Sequence, residues 1–211
     1  MPAIAAPLTG YFAILASPRA YATLGYLLLS MATGIFAFTF AVTGLSLSLG
    51  LAVLIVGIPF ALGFLALTRV LAVAEARLLR VLVNPLAPEA APLLPTGAGW
   101  TARIQALVTD RRTWSSLAYF LLLLPLGIAY ANVLAALLIV AFGLMAAPLV
   151  ALFAAPGTVS LEGLQLVGNH PTLLLAACGL VGALLVPLTL HLGLVLGRFQ
   201  SWVARHLLVR A

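Results

Sequence analysis

Three stretches of this 211-residue chain, 20–68, 113–161 and 163–197, contain no Asp, Glu, Lys or Arg. A helix rises about 1.5 Å per residue and the hydrocarbon core of a bilayer is about 30 Å thick, so about 20 apolar residues make one crossing. A soluble fold needs charge over most of its surface. Here 64% of residues are apolar, 7% are charged and the mean hydropathy is +1.25, which places the chain in a bilayer. That excludes a secreted disulfide scaffold, a disordered tail and a nucleic-acid-binding domain. The net charge of +6 arises from ten basic residues, all Arg, against four acids. The arginines lie in short patches at the edges of the apolar runs, where anionic lipid headgroups are the natural partners and where positive charge marks the cytoplasmic side. The single Cys178 sits inside an apolar run, reads as a small buried residue and can form no intrachain disulfide. The N-terminus has no charge before Arg19 and no clear cleavage site, so a retained first span is expected rather than a signal peptide.

The run from Ala20 to Thr68 is long enough for two crossings. The stretch 43–50, with two Gly and two Ser, predicts the turn between span 1 (about 20–43) and span 2 (about 48–68). Arg19 and Arg69 then mark the feet of a hairpin. From Arg69 to Val83 the pattern stays helical, with Arg69, Arg77 and Arg80 within about 80° on a helical wheel, and reads as an interfacial helix. Pro85, Pro88, Pro92 and Pro95 break the chain, and a second short amphipathic segment runs from Trp100 to Arg112. Five spans would scatter the arginines over both faces. Four spans, with span 3 at about 114–140 and span 4 at about 171–197, put every Arg on one side, and four is the reading adopted. Residues 144–170 are then an extracytoplasmic segment, which crosses, re-enters or lies on the membrane. The N- and C-termini are expected in the cytoplasm of a bacterial inner membrane.

Residues 26–35 and 119–128 align at an offset of 93, matching at Tyr26/Tyr119, Gly34/Gly127 and Ile35/Ile128, with Arg19 against Arg112. Both copies are entered from an Arg-bearing side. The predicted fold is therefore an all-α integral membrane protein, one domain over 1–211. Its four transmembrane helices form two parallel-duplicated hairpins (repeat roughly 17–83 and 110–211), with short cytoplasmic amphipathic helices.

Ionisable groups within a bilayer are costly, so each is a default site. Asn132 in span 3 and His191 in span 4 are the main polar candidates. Asn132 lies about 28 Å from the inner end of its helix and His191 about 10 Å from Arg198, so they do not pair, and each reads as a local interhelical hydrogen-bonding group. Glu75, Glu89, Asp110 and Glu162 all fall outside the predicted spans, which argues against proton-coupled transport. The three histidines lack matched depth for haem, and no H-E-x-x-H or G-x-S-x-G motif supports intramembrane proteolysis. No cofactor or metal and no enzymatic activity is expected. Glu162 and His170 in the outer segment could sense pH or a cation, against the plainer reading of a polar loop. Arg77, Arg80, Arg111 and Arg112 could contact lipid phosphates or a partner's acidic surface, against plain topology anchoring. Gly57/Ala61, Gly179/Ala183 and Gly193/Gly197 give small-residue faces that suit packing within the chain or a homodimer.

The segments Leu24–Leu29 with Gly34, Val42–Leu51, Gly57-Ile-Pro59, Arg69 through Glu75-Ala-Arg77 to Leu82, Asp110-Arg-Arg-Thr-Trp114, and Tyr119 through Pro125-Leu-Gly-Ile128 occur in an order that resembles the putative sensor domain family. Members of that family stand mostly ahead of bacterial histidine kinases. The resemblance covers nearly the whole chain and carries no ligand residues with it. It implies a membrane sensor of a two-component type. Residues 198–211 hold no phosphoacceptor helix or ATP-binding domain, so the signal is expected to pass to a histidine kinase or other cytoplasmic regulator in trans. The alternatives from other classes are a small transporter or lipid-handling protein, and a structural subunit of a membrane complex.

Overall fold

A computed structural model describes residues 11–51, 57–83, 109–153 and 171–209. Every regular element among them is helical: α1 (Pro18–Leu51), α2 (Gly57–Leu82), α3 (Arg111–Phe153) and α4 (Pro171–Ala204). A 3-10 turn (Ile14–Ala16) precedes α1 and a π-helical turn (Arg205–Val209) follows α4. Each of the four is long and apolar enough to cross a bilayer, as in a multi-pass membrane protein. Helices are the form such a segment must take in lipid, because they satisfy their own backbone donors and acceptors. Large apolar side chains such as Phe36, Leu49, Ile58 and Val81 point outward, while Thr23, Ser30, Thr68, Thr113 and Ser116 are buried. Lipid tails are as apolar as leucine, so large side chains can face either way: Leu27, Tyr119, Phe120 and Leu123 fill the interior, and small and polar residues beside them let helices approach.

The chain divides into two compact units, residues 18–132 with 193–211, and 1–17 with 133–192. In the larger unit α1 and α2 form an antiparallel hairpin. Arg19 Nη2 donates to the Val83 carbonyl at 3.2 Å near one end, and the Phe64 ring lies over Gly44 near the other. The first half of α3 crosses α1 at glycine. A Cβ placed on Gly34 would meet the Leu123 carbonyl oxygen at 2.8 Å, and one placed on Gly127 would meet the Ser30 carbonyl oxygen at 2.5 Å. This contact is reciprocal: 30 and 123, like 34 and 127, stand 93 residues apart. The last turns of α4 lie against α1, where a Cβ on Gly197 would strike Thr23 Cγ2 at 2.5 Å.

In the smaller unit the outer halves of α3 and α4 pack through Gly182, where a Cβ would meet the Ala141 carbonyl oxygen at 2.7 Å, and through Gly179 beside Pro148. Tyr11 donates to the Leu184 carbonyl at 2.7 Å. Glycines 179, 193 and 197 of the small-residue faces are thus contacted within the chain.

Three boundaries differ from the sequence reading. Helix α1 runs on through 43–50 to Leu51. Gly and Ser there do not end it, because a break in lipid would strand backbone groups, and Gly44 makes room for Phe64. Residues 69–82 are no separate interfacial helix but the end of α2. Residues 144–153 of the expected outer segment continue α3 as helix, whereas 154–170 lie outside the described residues, as does most of the expected 100–112 segment.

Candidate functional site

The wheel that gathers Arg69, Arg77 and Arg80 on one face of α2 puts Glu75 about 240° from Arg69, on the opposite face. That face is the buried one. Thr68, Ala72, Glu75 and Leu79 are spaced four, three and four apart and all are buried, Glu75 to 6% exposure. Tyr26, one and a half to two turns into α1 beyond Arg19, donates its hydroxyl to Glu75 Oε1 at 2.5 Å. The Tyr119 side chain, on α3, lies close to that of Tyr26. Gln200 of α4, fully buried, donates Nε2 to the Tyr119 hydroxyl at 3.0 Å. Two buried hydrogen bonds, Gln200–Tyr119 and Tyr26–Glu75, therefore lie together where the two tyrosines approach, and they form a polar chain with one member on each of the four helices inside the larger unit. Gln200 Oε1 is buried and has no hydrogen-bond partner among the described residues.

The chain sits at the arginine-bearing end, where α1 and α3 begin and α2 and α4 finish. A second contact clasps α2 to α3 there. Arg69 Nη2 meets Asp110 Oδ2 at 2.7 Å, and Arg69 Nε donates to Thr113 Oγ1 at 3.0 Å. Asp110 also caps α3, since its Oδ1 accepts the Arg112 backbone N–H at 3.0 Å. A carboxylate at a helix N-terminus satisfies an orphan donor and meets the positive end of the dipole. The Asp-Arg-Arg-Thr lead-in is thus a cap and a clasp at once.

Nearer the other end of α1 and α2 lies a cavity of about 660 Å³, lined by Phe36, Phe40, Phe60 and Phe64 together with Thr39 and Thr43. Its lining is almost wholly apolar and suits hydrocarbon rather than a charged molecule.

The residues singled out from sequence fall elsewhere. Asn132 is exposed on α3. The hydrogen bond of His191 is intrahelical, from Nδ1 to the Pro187 carbonyl at 2.9 Å, and its ring stacks on Tyr11 at 5.4 Å between centroids. It does not bridge helices by that bond, because the carbonyl four residues back is the nearer acceptor. Arg77, Arg80, Arg111 and Arg112 are exposed at the arginine-bearing end. Glu162 and His170 lie outside the described residues. The sequence reading passed over Glu75 and Gln200. Glu75 falls beyond the uncharged run and so reads as external, yet its angular position opposite the three arginines marks it as inward. Tyr26 and Tyr119 carry a signal as well, being the first matched pair of the 93-residue alignment.

A family model described as "Putative sensor" matches residues 26–208, a range that contains all four members of the polar chain. No curated protein and no solved structure matches the chain.

Proposed function

The chain belongs to the "Putative sensor" family, and from that premise we propose that it is a non-catalytic module that perceives a membrane or envelope signal and relays it to a separate cytoplasmic protein. The observation that carries this reading is the Gln200–Tyr119–Tyr26–Glu75 chain, which couples one side chain from each of the four helices at the arginine-bearing end. A shift of any one helix breaks or re-forms a buried hydrogen bond, so displacement at one helix is felt by the other three. The phenylalanine-walled cavity between α1 and α2 offers an apolar signal molecule space on the same helix that carries Glu75. The exposed Arg77, Arg80, Arg111 and Arg112 face the compartment where a regulator with an acidic surface would dock, and they hold that end among anionic headgroups. In this reading the module lies in a bacterial inner membrane with both termini in the cytoplasm, and the receiver is a histidine kinase or another regulator acting in trans.

The test is crosslinking and capture from native membranes, together with transcript profiling of a deletion strain. The expected result is a cytoplasmic signalling protein recovered with the wild type, in a yield that changes in Glu75→Gln. Recovery of no such protein, with an unchanged transcript profile, overturns the sensor reading. The cavity also favours a second reading, a lipid-handling protein, and transfer of labelled lipid between leaflets of vesicles containing the purified chain would support that one instead.

A further inference from the structure

Two bonds of the buried chain have a direction in the structure. The Gln200 amide donates to Tyr119 and Tyr26 donates to Glu75; the single Tyr26 hydrogen is thereby committed, which leaves the Tyr119 hydrogen to turn toward Tyr26 and every donor to point toward the carboxylate. This order is complete at one end and incomplete at the other. Glu75 is the terminal acceptor, while Gln200 Oε1, on a residue with no exposed surface, accepts nothing among the described residues. A buried acceptor left unmade costs free energy. The same oxygen has a use if the order runs the other way.

We propose that the Gln200–Tyr119–Tyr26–Glu75 chain is a proton-operated relay, in which uptake of one proton by Glu75 reverses every donor in the chain and turns the Gln200 amide end for end. The balance is simple. The Glu75 carboxylate takes one proton from water and becomes a carboxylic acid that donates to the Tyr26 oxygen. Tyr26 then donates to Tyr119, and Tyr119 donates to Gln200 Oε1. No bond between heavy atoms forms or breaks, and each hydroxyl keeps one hydrogen. The change enters on α2 and is delivered on α4, at a residue five positions before the π-helical turn at Arg205–Val209 begins.

The groups facing Glu75 allow this. From α1 it meets Tyr26, and Tyr119 of α3 lies close enough to feel its charge; the α4 member, Gln200, is neutral and reaches Tyr119. Of the arginines on its own helix, Arg69 is turned to Asp110 and Thr113, and Arg77 and Arg80 are exposed. The carboxylate is stabilised by a hydroxyl, a partner that serves the charged and the neutral form alike by rotating one hydrogen.

The relay deepens the sensor reading by naming the proton as an input, and its test uses no cytoplasmic partner, so it can fail while that reading stands. The full chain is placed in lipid nanodiscs and titrated from pH 4 to pH 9 under infrared difference spectroscopy. A carboxylic-acid C=O band that titrates in the wild type and is missing from Glu75→Gln is expected. In Gln200→Leu the protonated state loses the acceptor for the Tyr119 hydrogen, whereas the ionised state loses only a donor to Tyr119 and an orphan oxygen. The midpoint should therefore fall by at least one pH unit, a tenfold weakening of proton affinity. If no titrating band is specific to Glu75, or if Gln200→Leu titrates at the wild-type midpoint, the relay is wrong. Should Glu75→Gln fail to fold, the comparison of wild type with Gln200→Leu still decides the outcome.

Discussion

In the first helix pair the tyrosine of α1 meets a carboxylate, Glu75 on α2; across the bundle the tyrosine of α3 meets a neutral amide, Gln200 on α4. Part of the framework around the two is matched. Thr23 Oγ1 bonds the Arg19 carbonyl at 2.9 Å and Ser116 Oγ bonds the Arg112 carbonyl at 2.7 Å, four residues back in each case. Gly34 presses on the α3 backbone and Gly127 presses on the α1 backbone. Matching contacts carrying unmatched charge show what a lipid-embedded interior tolerates. Two carboxylates on two linked tyrosines would repel in a low dielectric, and one would be forced to neutralise. One carboxylate and one amide let the two tyrosine pairs lie side by side with a single charge between them.

The largest expected effect tests the matched part of this comparison. Alanine at Gly127 drives a methyl group into the Ser30 carbonyl and alanine at Gly34 drives one into the Leu123 carbonyl, both backbone atoms that cannot step aside. Each substitution should cost about 2 kcal/mol or more by overpacking. The two costs should be alike, whereas Gly25→Ala, with nothing within 4 Å, should leave stability unchanged. Thermal unfolding in detergent or nanodiscs measures all three. A tolerated Gly127 with an intolerant Gly34 would break the reciprocity.

The unmatched part predicts a smaller and unequal pair. Tyr26→Phe removes the hydroxyl that the Glu75 carboxylate accepts, a hydrogen bond to a charged group, and should cost about 2 kcal/mol at a pH where Glu75 is ionised. Tyr119→Phe breaks neutral contacts only and should cost about 1 kcal/mol. Equal losses in the same unfolding assay would mean that the charge on α2 does not distinguish the two halves.

How much of this was legible beforehand depends on the kind of signal. The four spans follow from uncharged runs and arginine placement, because the energy of putting charge in hydrocarbon is large and read residue by residue. The ends of α1 and α3 were not legible from Gly, Ser and Pro. Those residues punctuate helices in water, where freed backbone groups find solvent, and lose that force in lipid. Asn132 and His191 drew attention by depth alone, but depth says nothing about direction around a helix. Asn132 points outward and His191 bonds its own helix. Glu75 was hidden by the opposite error. It lies past the end of an apolar run, and only the wheel, on which it opposes Arg69, Arg77 and Arg80, turns it inward. Gln200 gives no sequence signal of its own, since its partner Tyr119 is 81 residues away and nothing in spacing links them.

The smallest effect sharpens the comparison at the helix starts. Helix α3 opens on Asp110, which does two things: Oδ1 caps the helix and Oδ2 holds Arg69 of α2. Helix α1 opens on Ser17-Pro18, and its Arg19 reaches a carbonyl instead, that of Val83. Asp110→Asn keeps an oxygen for the cap and removes the charge, and Asp110→Ala removes both. The ion pair is partly open to solvent, with Arg69 13% and Asp110 34% exposed, so screening reduces its worth to about 0.5 kcal/mol. The cap contributes about 1 kcal/mol more. Asp110→Asn should therefore lower the unfolding temperature slightly, with a deficit that shrinks from 0.1 M to 1 M salt, at a Debye length falling from about 10 Å to about 3 Å. Asp110→Ala should show a larger deficit, most of which salt does not remove. If instead the whole loss in Asp110→Ala vanished in high salt, the aspartate would be holding α2 by charge alone, and the start of α3 would need no cap beyond what α1 has.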